Sequence, residues 1–402
     1  MSKATAKGTI LVAGGGIGGL SAALALGRRG WTVRVLEREP QFGAIGYGIQ
    51  LGPNVFPMFD RLGVTQAVLG KSIKPGNLWM YDAMDGEPVL RIPTGAGFEK
   101  RFGAPYIVIH RVDLHNILMA ACAEVEEIHL DENADIVRYE DSGAAVRVLT
   151  RDGRSFEGEA LIAADGLRST VREQMVGTSE PDLIGYVAHR VVVPISEAPA
   201  GIPLGDVILW GGPGFHIVNY PLRGGEVFNI VAVFRTDTFS ERGTVDDYRR
   251  ELQETYRDAH PIMRQMIDMV NLERRWPIGD RLPRRGWSSG RVVMLGDAAH
   301  AALQSLAQGA CMAIEDAVIL GALIDVCDGD FAAAFERFER ERLLRTARVQ
   351  LEGRYMWNIF YHTGGIEAQV RNSIQRARDE DDVYRCLDWL YAPQAVPVSL
   401  QS

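Results

Sequence analysis

Apolar and polar positions alternate along this chain on three different scales, and the scale changes mark out its parts. Near the start, an unbroken apolar run Thr9–Val12 leads into a glycine cluster Gly14–Gly19, then a helix-period stretch Leu20–Arg29, then a second apolar run Thr32–Glu37. Short continuous runs on either side of a helix suit strands buried on both faces, so one βαβ unit of a parallel sheet is predicted. A second αβ region runs from a helix over His110–Cys122 to a strand over Ala160–Ala164, where Asp165-Gly166 turns the chain into Leu167–Gln174.

From Gly185 to Phe234 the pattern shortens into β-rich runs, Tyr186–Ile195, Asp206–Trp210, Phe215–Tyr220 and Val227–Phe234, which predict an antiparallel sheet. Arg291–Leu295 returns to the buried-strand pattern. Ala310–Ile324 is a long apolar helix, and the chain from Phe331 onward reads as mostly helical. No repeat of about 20 to 50 residues is visible.

Composition narrows the class. The 402 residues are 47% hydrophobic and 24% charged, as in soluble globular proteins, and the formal net charge of −9 argues against a nucleic-acid partner. The basic run Arg342–Arg348 lies among acids and reads as a solvated helix face. Cys122, Cys311, Cys327 and Cys386 are too far apart for a CxxC pair or a metal site. With no cleavable leader pattern and no apolar run of ~20 residues to span a membrane, a cytoplasmic protein is expected.

Gly14-x-Gly16-x-x-Gly19 follows a strand, opens a helix and is followed by Glu37 at the end of the next strand. That context is what a dinucleotide needs. The glycines admit a pyrophosphate, the helix start supplies positive charge, and the acid accepts from ribose hydroxyls. The fingerprint alone does not separate NAD from FAD. Asp165 and Asp297 also fit plain helix caps, and Arg111 fits a simple pair with Asp113.

Three later segments, Ala163-Ala164-Asp165-Gly166, Leu295-Gly296-Asp297-Ala298-Ala299-His300 and Gln308-Gly309-Ala310, resemble in order and spacing the FAD-dependent aromatic hydroxylases typified by p-hydroxybenzoate hydroxylase. Ile49–Asn54, Val108–Asp113, Tyr220–Glu226 and Ala307–Ala313 extend the resemblance over nearly the whole chain, most strongly to 3-hydroxybenzoate 6-hydroxylases. It implies an α/β fold: a Rossmann-like FAD-binding domain, an antiparallel β-sheet substrate domain and a helical C-terminal region. The FAD-binding domain is expected in three pieces, residues 1–75, 100–183 and 285–350. Residues 76–99 and 184–284 then form the substrate domain, and 351–402 the helical region.

By the same resemblance Asp297 binds ribose or ribityl hydroxyls, Arg111 lies near the FAD phosphates, and Asp165 serves FAD and the nicotinamide cofactor. Gln308, Gly309 and Ala310 open a helix whose free N–H groups face the flavin edge, where reduced flavin is negative. The implied cycle uses NADH or NADPH and O2 and passes through a flavin C4a-hydroperoxide.

On the β-rich run, His216, Val218 and Tyr220 share one strand face and Phe215, Ile217 and Asn219 the other. Residues matching His216, Tyr220 and Gln304 lie in the substrate pocket of 3-hydroxybenzoate 6-hydroxylases, so His216 is expected as the base, Tyr220 as substrate anchor and Gln304 as an orienting amide. Two positions depart from the family pattern and are expected to border the pocket: Ala301 for the usual proline, and His189 for the usual tyrosine. The expected reaction takes 3-hydroxybenzoate to 2,5-dihydroxybenzoate. The alternatives are another hydroxybenzoate, a hydroxypyridine carboxylate such as 6-hydroxynicotinate, or a non-enzymatic flavin redox sensor. A disulfide reductase lacks its cysteine pair here, and a halogenase its Trp-x-Trp-x-Ile-Pro signature. A homodimer is suggested by the likeness of Asp388-Trp389-Leu390-Tyr391 to dimer-forming relatives.

Overall fold

The computed structural model describes residues 7–43, 46–236, 245–272 and 274–397. Strand Lys7–Ala13, helix Ile17–Gly27 and strand Trp31–Leu36 form the expected opening unit. The helix begins earlier than its apolar period suggests, with Gly18 and Gly19 inside the first turn. A Cβ at Gly19 would overlap the Gly14 carbonyl oxygen, so close packing outweighs glycine's poor helix propensity there.

These strands lie within a six-stranded sheet ordered Ser288–Ser289, Val292–Met294, Ala160–Ala163, Lys7–Ala13, Trp31–Leu36, Ile128–Asp131. All neighbours run parallel except the first pair. Ala13, Ala163 and Met294 stand in register at the strand ends. The glycine loop, Asp165 and Gly296-Asp297 therefore leave the sheet along one carboxyl edge, which is where open α/β sheets bind ligands.

A seven-stranded sheet carries the second layer, ordered Trp276–Asp280, Asp182–Pro194, Val227–Arg235, Phe215–Leu222, Val207–Gly212, Asn77–Asp82, Pro88–Pro93. It is antiparallel apart from the pairing of Val207–Gly212 with Asn77–Asp82. Phe215 and Ile217 enter a core with Trp210, Phe228 and Tyr256, and Trp210 Nε1 donates to Asn219 Oδ1 at 3.0 Å. His216, Val218 and Tyr220 are left on the opposite face.

Two further sets of strands go beyond what periodicity predicts: those within residues 77–93, and the small sheet Ile136–Asp141, Val146–Thr150, Ser155–Gly158. The latter is short and half-exposed, so its charged outward positions mask the apolar row.

Helix Gly309–Val326 packs on Ile17–Gly27 and on the 25-residue helix Phe331–Tyr355. Contrary to a solvated basic face, Arg342 is 2% exposed: its guanidinium meets Asp316 at 2.7 Å and Glu315 at 2.8 Å, and Arg345 meets Glu315 at 2.7 Å. Asp316 also accepts from the Gly296 N–H and lies 2.6 Å from His300 Nε2. A π-helical turn Met356–Tyr361 and helices Gly365–Arg376 and Glu380–Tyr391 follow. Among the described residues no helix is long and apolar enough to cross a membrane.

Candidate active site

At the carboxyl edge of the parallel sheet, Gly14 has φ +96°, and a Cβ there would lie 2.7 Å from the Ala164 carbonyl oxygen. Gly16 is different. Its φ is −75° and a Cβ would meet nothing within 4 Å, so neither backbone nor neighbours demand glycine. The space beside it is a cradle that a side chain would fill, as a pyrophosphate site requires. Glu37 stands at the same mouth, accepting from the Gly15 N–H at 2.6 Å and the Glu39 N–H at 3.0 Å.

Arg111 does not pair with Asp113, which takes Arg223 at 3.2 Å instead. Among the described residues no carboxylate lies within salt-bridge reach of Arg111, which leaves a half-buried cation for a phosphate. Asp165 partly fits the capping reading, since Oδ2 accepts from the Val171 N–H at 3.2 Å. Its Oδ1 is buried without a protein partner. Asp297 follows Gly296, whose φ of 58° and ψ of −139° suit glycine, and its side chain opens to the crevice.

The crevice continues into a cavity of about 350 Å³ between the second sheet and the start of helix Gly309–Val326. His216, Tyr220, Gln304, Asp297, Gly309 and Ala310 all line it. Gln308 does not. Its amide is turned away into the core, where Asn54 Nδ2 donates to Gln308 Oε1 at 3.0 Å and to Glu315 at 2.8 Å. Close approach at Gly48 seats Tyr220, because a Cβ there would lie 2.7 Å from the phenol oxygen.

The two expected pocket-bordering departures are corrected. His189 is fully buried behind the sheet, with Nε2 2.7 Å from the Tyr248 hydroxyl and its ring stacked on Phe234. Alternation along strand Asp182–Pro194 turns it away from the cavity. Ala301 is also buried, its carbonyl accepting from Arg281 N at 3.1 Å and Gln350 Nε2 at 3.2 Å. Its φ of −48° lies close to the value a proline ring fixes, so the backbone path survives without the ring.

Comparison with known proteins fixes the family. Residues 7–350 match the family model described as an FAD binding domain. The chain is 44% identical to a 3-hydroxybenzoate 6-hydroxylase of Polaromonas naphthalenivorans (strain CJ2), over 97% of both chains. This chain is an FAD-dependent aromatic hydroxylase of the FAD-binding-domain family. The hydroxylase is also 33% identical to a 6-hydroxynicotinate 3-monooxygenase of Bordetella bronchiseptica (strain ATCC BAA-588 / NCTC 13252 / RB50), over 86% of this chain and 90% of that one. Among solved structures, Klebsiella pneumoniae HpxO complexed with FAD and uric acid superposes with a TM-score of 0.84 at 26% identity, covering 96% of this chain and 97% of that one.

The hydroxylase cavity holds a cation that sequence reading missed. Arg190 lines it with no carboxylate within salt-bridge reach among the described residues, and one amino group donates to Gln304 Oε1 at 2.6 Å. Burial destabilises its charge and lowers its pKa. Register explains its position: Arg190 pairs with Val231, and Val231 with Val218, so all three stand in one row on the cavity face. A charge inside the apolar run Tyr186–Ile195 was the available signal.

Burial, then His362 and Arg190, hold His216 well below its ordinary pKa, and burial raises that of Tyr220. His189 and His362 are pushed down to about 4 and about 3 by burial. Both fold neutral and must charge on unfolding in acid. Their stabilising contribution is complete above pH ~6.5 and declines, at ~1.4 kcal/mol per pH unit for each, toward their folded values. Denaturant titrations of FAD-loaded protein are expected to show stability falling from pH 6.5 to 4.5. His189→Phe should flatten that slope, and an unchanged slope would refute this origin.

Proposed function

We propose that the hydroxylase converts 3-hydroxybenzoate to 2,5-dihydroxybenzoate with NADH as reductant. The observation that carries the substrate class is Arg190: an uncompensated guanidinium in a mostly apolar cavity is a receptor for one carboxylate. FAD, when bound, passes electrons from the nicotinamide to O2 and delivers one oxygen atom to the ring. It is held by Gly14, Gly16, Gly19, Glu37, Arg111, Asp165, Asp297 and the Gly309-Ala310 helix start.

Arg190 and Gln304 fix the carboxylate end, Tyr220 anchors the ring, and His216 accepts the phenol proton. Leu78, Leu209 and Val218 keep that space dry. A phenol titrates near 10 and a histidine near 6.5, so proton removal is concerted with attack on oxygen or relies on phenolate stabilisation. The bound carboxylate neutralises Arg190 and so removes one cause of the weak basicity of His216. A 3-phenolate activates both C6 and C4; orientation on Arg190 selects C6.

Aerobic turnover with catalase and 18O2 is expected to give labelled 2,5-dihydroxybenzoate. Labelled 3,4-dihydroxybenzoate would overturn the regiochemistry, and peroxide without labelled product would remove this substrate. Preferential conversion of 6-hydroxynicotinate would favour the hydroxypyridine reading. Arg190→Met should raise KM for the acid about 10- to 100-fold, the range for a hydrogen bond to a charged group, and should change KM for the uncharged amide analogue far less.

The same reading includes a homodimer in the cytoplasm. Two helices expose apolar stripes, Leu344, Leu351 and Tyr355 on one, and Ile366, Val370 and Ile374 on the next, with Ile366 78% exposed. Stripes at helical spacing suit burial against a second copy. Sedimentation should show a dimer for the native chain and a monomer for Ile366→Asp/Val370→Asp; two dimers would contradict this surface.

A further inference from the structure

The second histidine beside His216 comes from a distant part of the chain. His216 Nδ1 lies 2.7 Å from His362 Nε2, a hydrogen bond across 146 positions that joins the middle of the second sheet to the segment after the π-helical turn. π-Helical turns are rare and collect at functional sites. This one sets Trp357 edge-on to both rings, at 5.2 Å from His216 and 4.8 Å from His362. Tyr186 stacks on His362 at 4.7 Å, and Tyr361 packs edge-on to His216 at 5.3 Å. His216 is 1% exposed and His362 9%, so neither ring has room to turn.

One proton occupies the contact between two neutral imidazoles, and its owner decides what His216 can do. If His216 holds it on Nδ1, its Nε2 carries a lone pair toward the cavity and can accept a proton. If His362 Nε2 holds it, His216 Nε2 bears hydrogen and is no base. His362 does not line the cavity, so it has no direct contact with a bound substrate. The other groups facing the pair are Arg190, Tyr186, Tyr361 and Tyr256. The last donates to the His216 backbone carbonyl at 3.2 Å. Among the described residues no carboxylate hydrogen-bonds to either ring, so the role that a carboxylate plays behind many catalytic histidines falls to His362. His362 Nδ1 is buried without a hydrogen-bond partner, so the contact with His216 is the one hydrogen bond its ring makes among the described residues.

We propose that His362 is the positioning partner of His216, accepting its Nδ1–H and so presenting the Nε2 lone pair to the substrate. In the step this serves, the phenol O–H breaks and an N–H forms on His216 Nε2, with the electron pair staying on the phenol oxygen. The positive charge formed on His216 is shared through Nδ1–H to His362, and no oxidant or further reactant is involved. The proton transfer and the choice of tautomer rest on the phenolic-acid reading above, because only this tautomer leaves His216 a base; the pairing of the two rings does not.

The test uses FAD-loaded protein labelled with 15N-histidine, with His216 assigned by its loss in His216→Gln. In the native chain, Nδ1 of His216 should resonate as a protonated nitrogen and Nε2 as an unprotonated one. A protonated Nε2 would overturn the proposal without any variant or substrate. His362→Phe keeps the ring packing and removes the acceptor; the His216 shifts should move toward a mixture of tautomers. Product formation from 3-hydroxybenzoate should drop 10-fold or more, with FAD content and KM within about twofold. His362→Gln restores an acceptor oxygen and should recover most of the lost rate. Unchanged shifts and turnover in His362→Phe would overturn the assignment, as would equal losses in the phenylalanine and glutamine variants. If the native enzyme leaves 3-hydroxybenzoate unconverted, the substrate reading fails, and the 15N shifts alone still decide the role of His362.

Discussion

Gly14→Val is expected to give a folded chain that does not retain FAD. At φ +96° a β-branched residue is strained, and its Cβ would press on the Ala164 carbonyl 2.7 Å away and on the Asp165 backbone. The Asp165 loop and the glycine loop are thus pushed apart where the pyrophosphate must enter. Flavin absorbance after gel filtration reads the loss, and circular dichroism separates it from misfolding. Gly16→Ala makes the complementary comparison: its added methyl meets no protein atom, so any loss of FAD comes from the ligand side alone. A Gly14→Val protein carrying a full complement of flavin would refute the assigned pyrophosphate path.

His216→Ala should lower oxygen transfer by about 10²- to 10⁴-fold, the usual contribution of a placed acid or base, and leave FAD retention intact. The residue lies on strand Phe215–Leu222, outside every nucleotide-binding loop. Rapid mixing separates the steps: reduction by NADH should proceed, while labelled product gives way to peroxide. Normal coupling in this variant would remove His216 from the chemistry.

Legibility of this fold followed the range of the interactions involved. The glycine loop, Glu37 and the following helix are set by neighbours within about thirty residues, and a local pattern carries them. The His216, Val218, Tyr220 face was equally readable, because alternation along one strand needs no knowledge of its neighbours. Arg190 was not, since its place beside Gln304 depends on the register of three strands. His362 was still less accessible: no local periodicity announces a partner 146 residues away. His189 shows the converse error. A family departure on the same strand as Arg190 suggested a pocket position, and a one-residue difference in parity put it on the other face.

The buried carboxylates Glu315 and Asp316 join parts of the molecule that a map of contacts would treat separately. Through Gly296 N and His300, Asp316 fixes the loop that carries Asp297, while Glu315 reaches Gln308 by way of Asn54. Arg342 and Arg345 neutralise both acids from the helix Phe331–Tyr355, which leads directly into the turn before His362. The loop that carries Asp297 and the segment that carries His362 are therefore mounted on one electrostatic frame. A chain cut between residues 326 and 331 would strand two buried negative charges beneath the flavin pocket, so the two halves of this enzyme cannot be exchanged between relatives as independent modules unless the acids and arginines travel together.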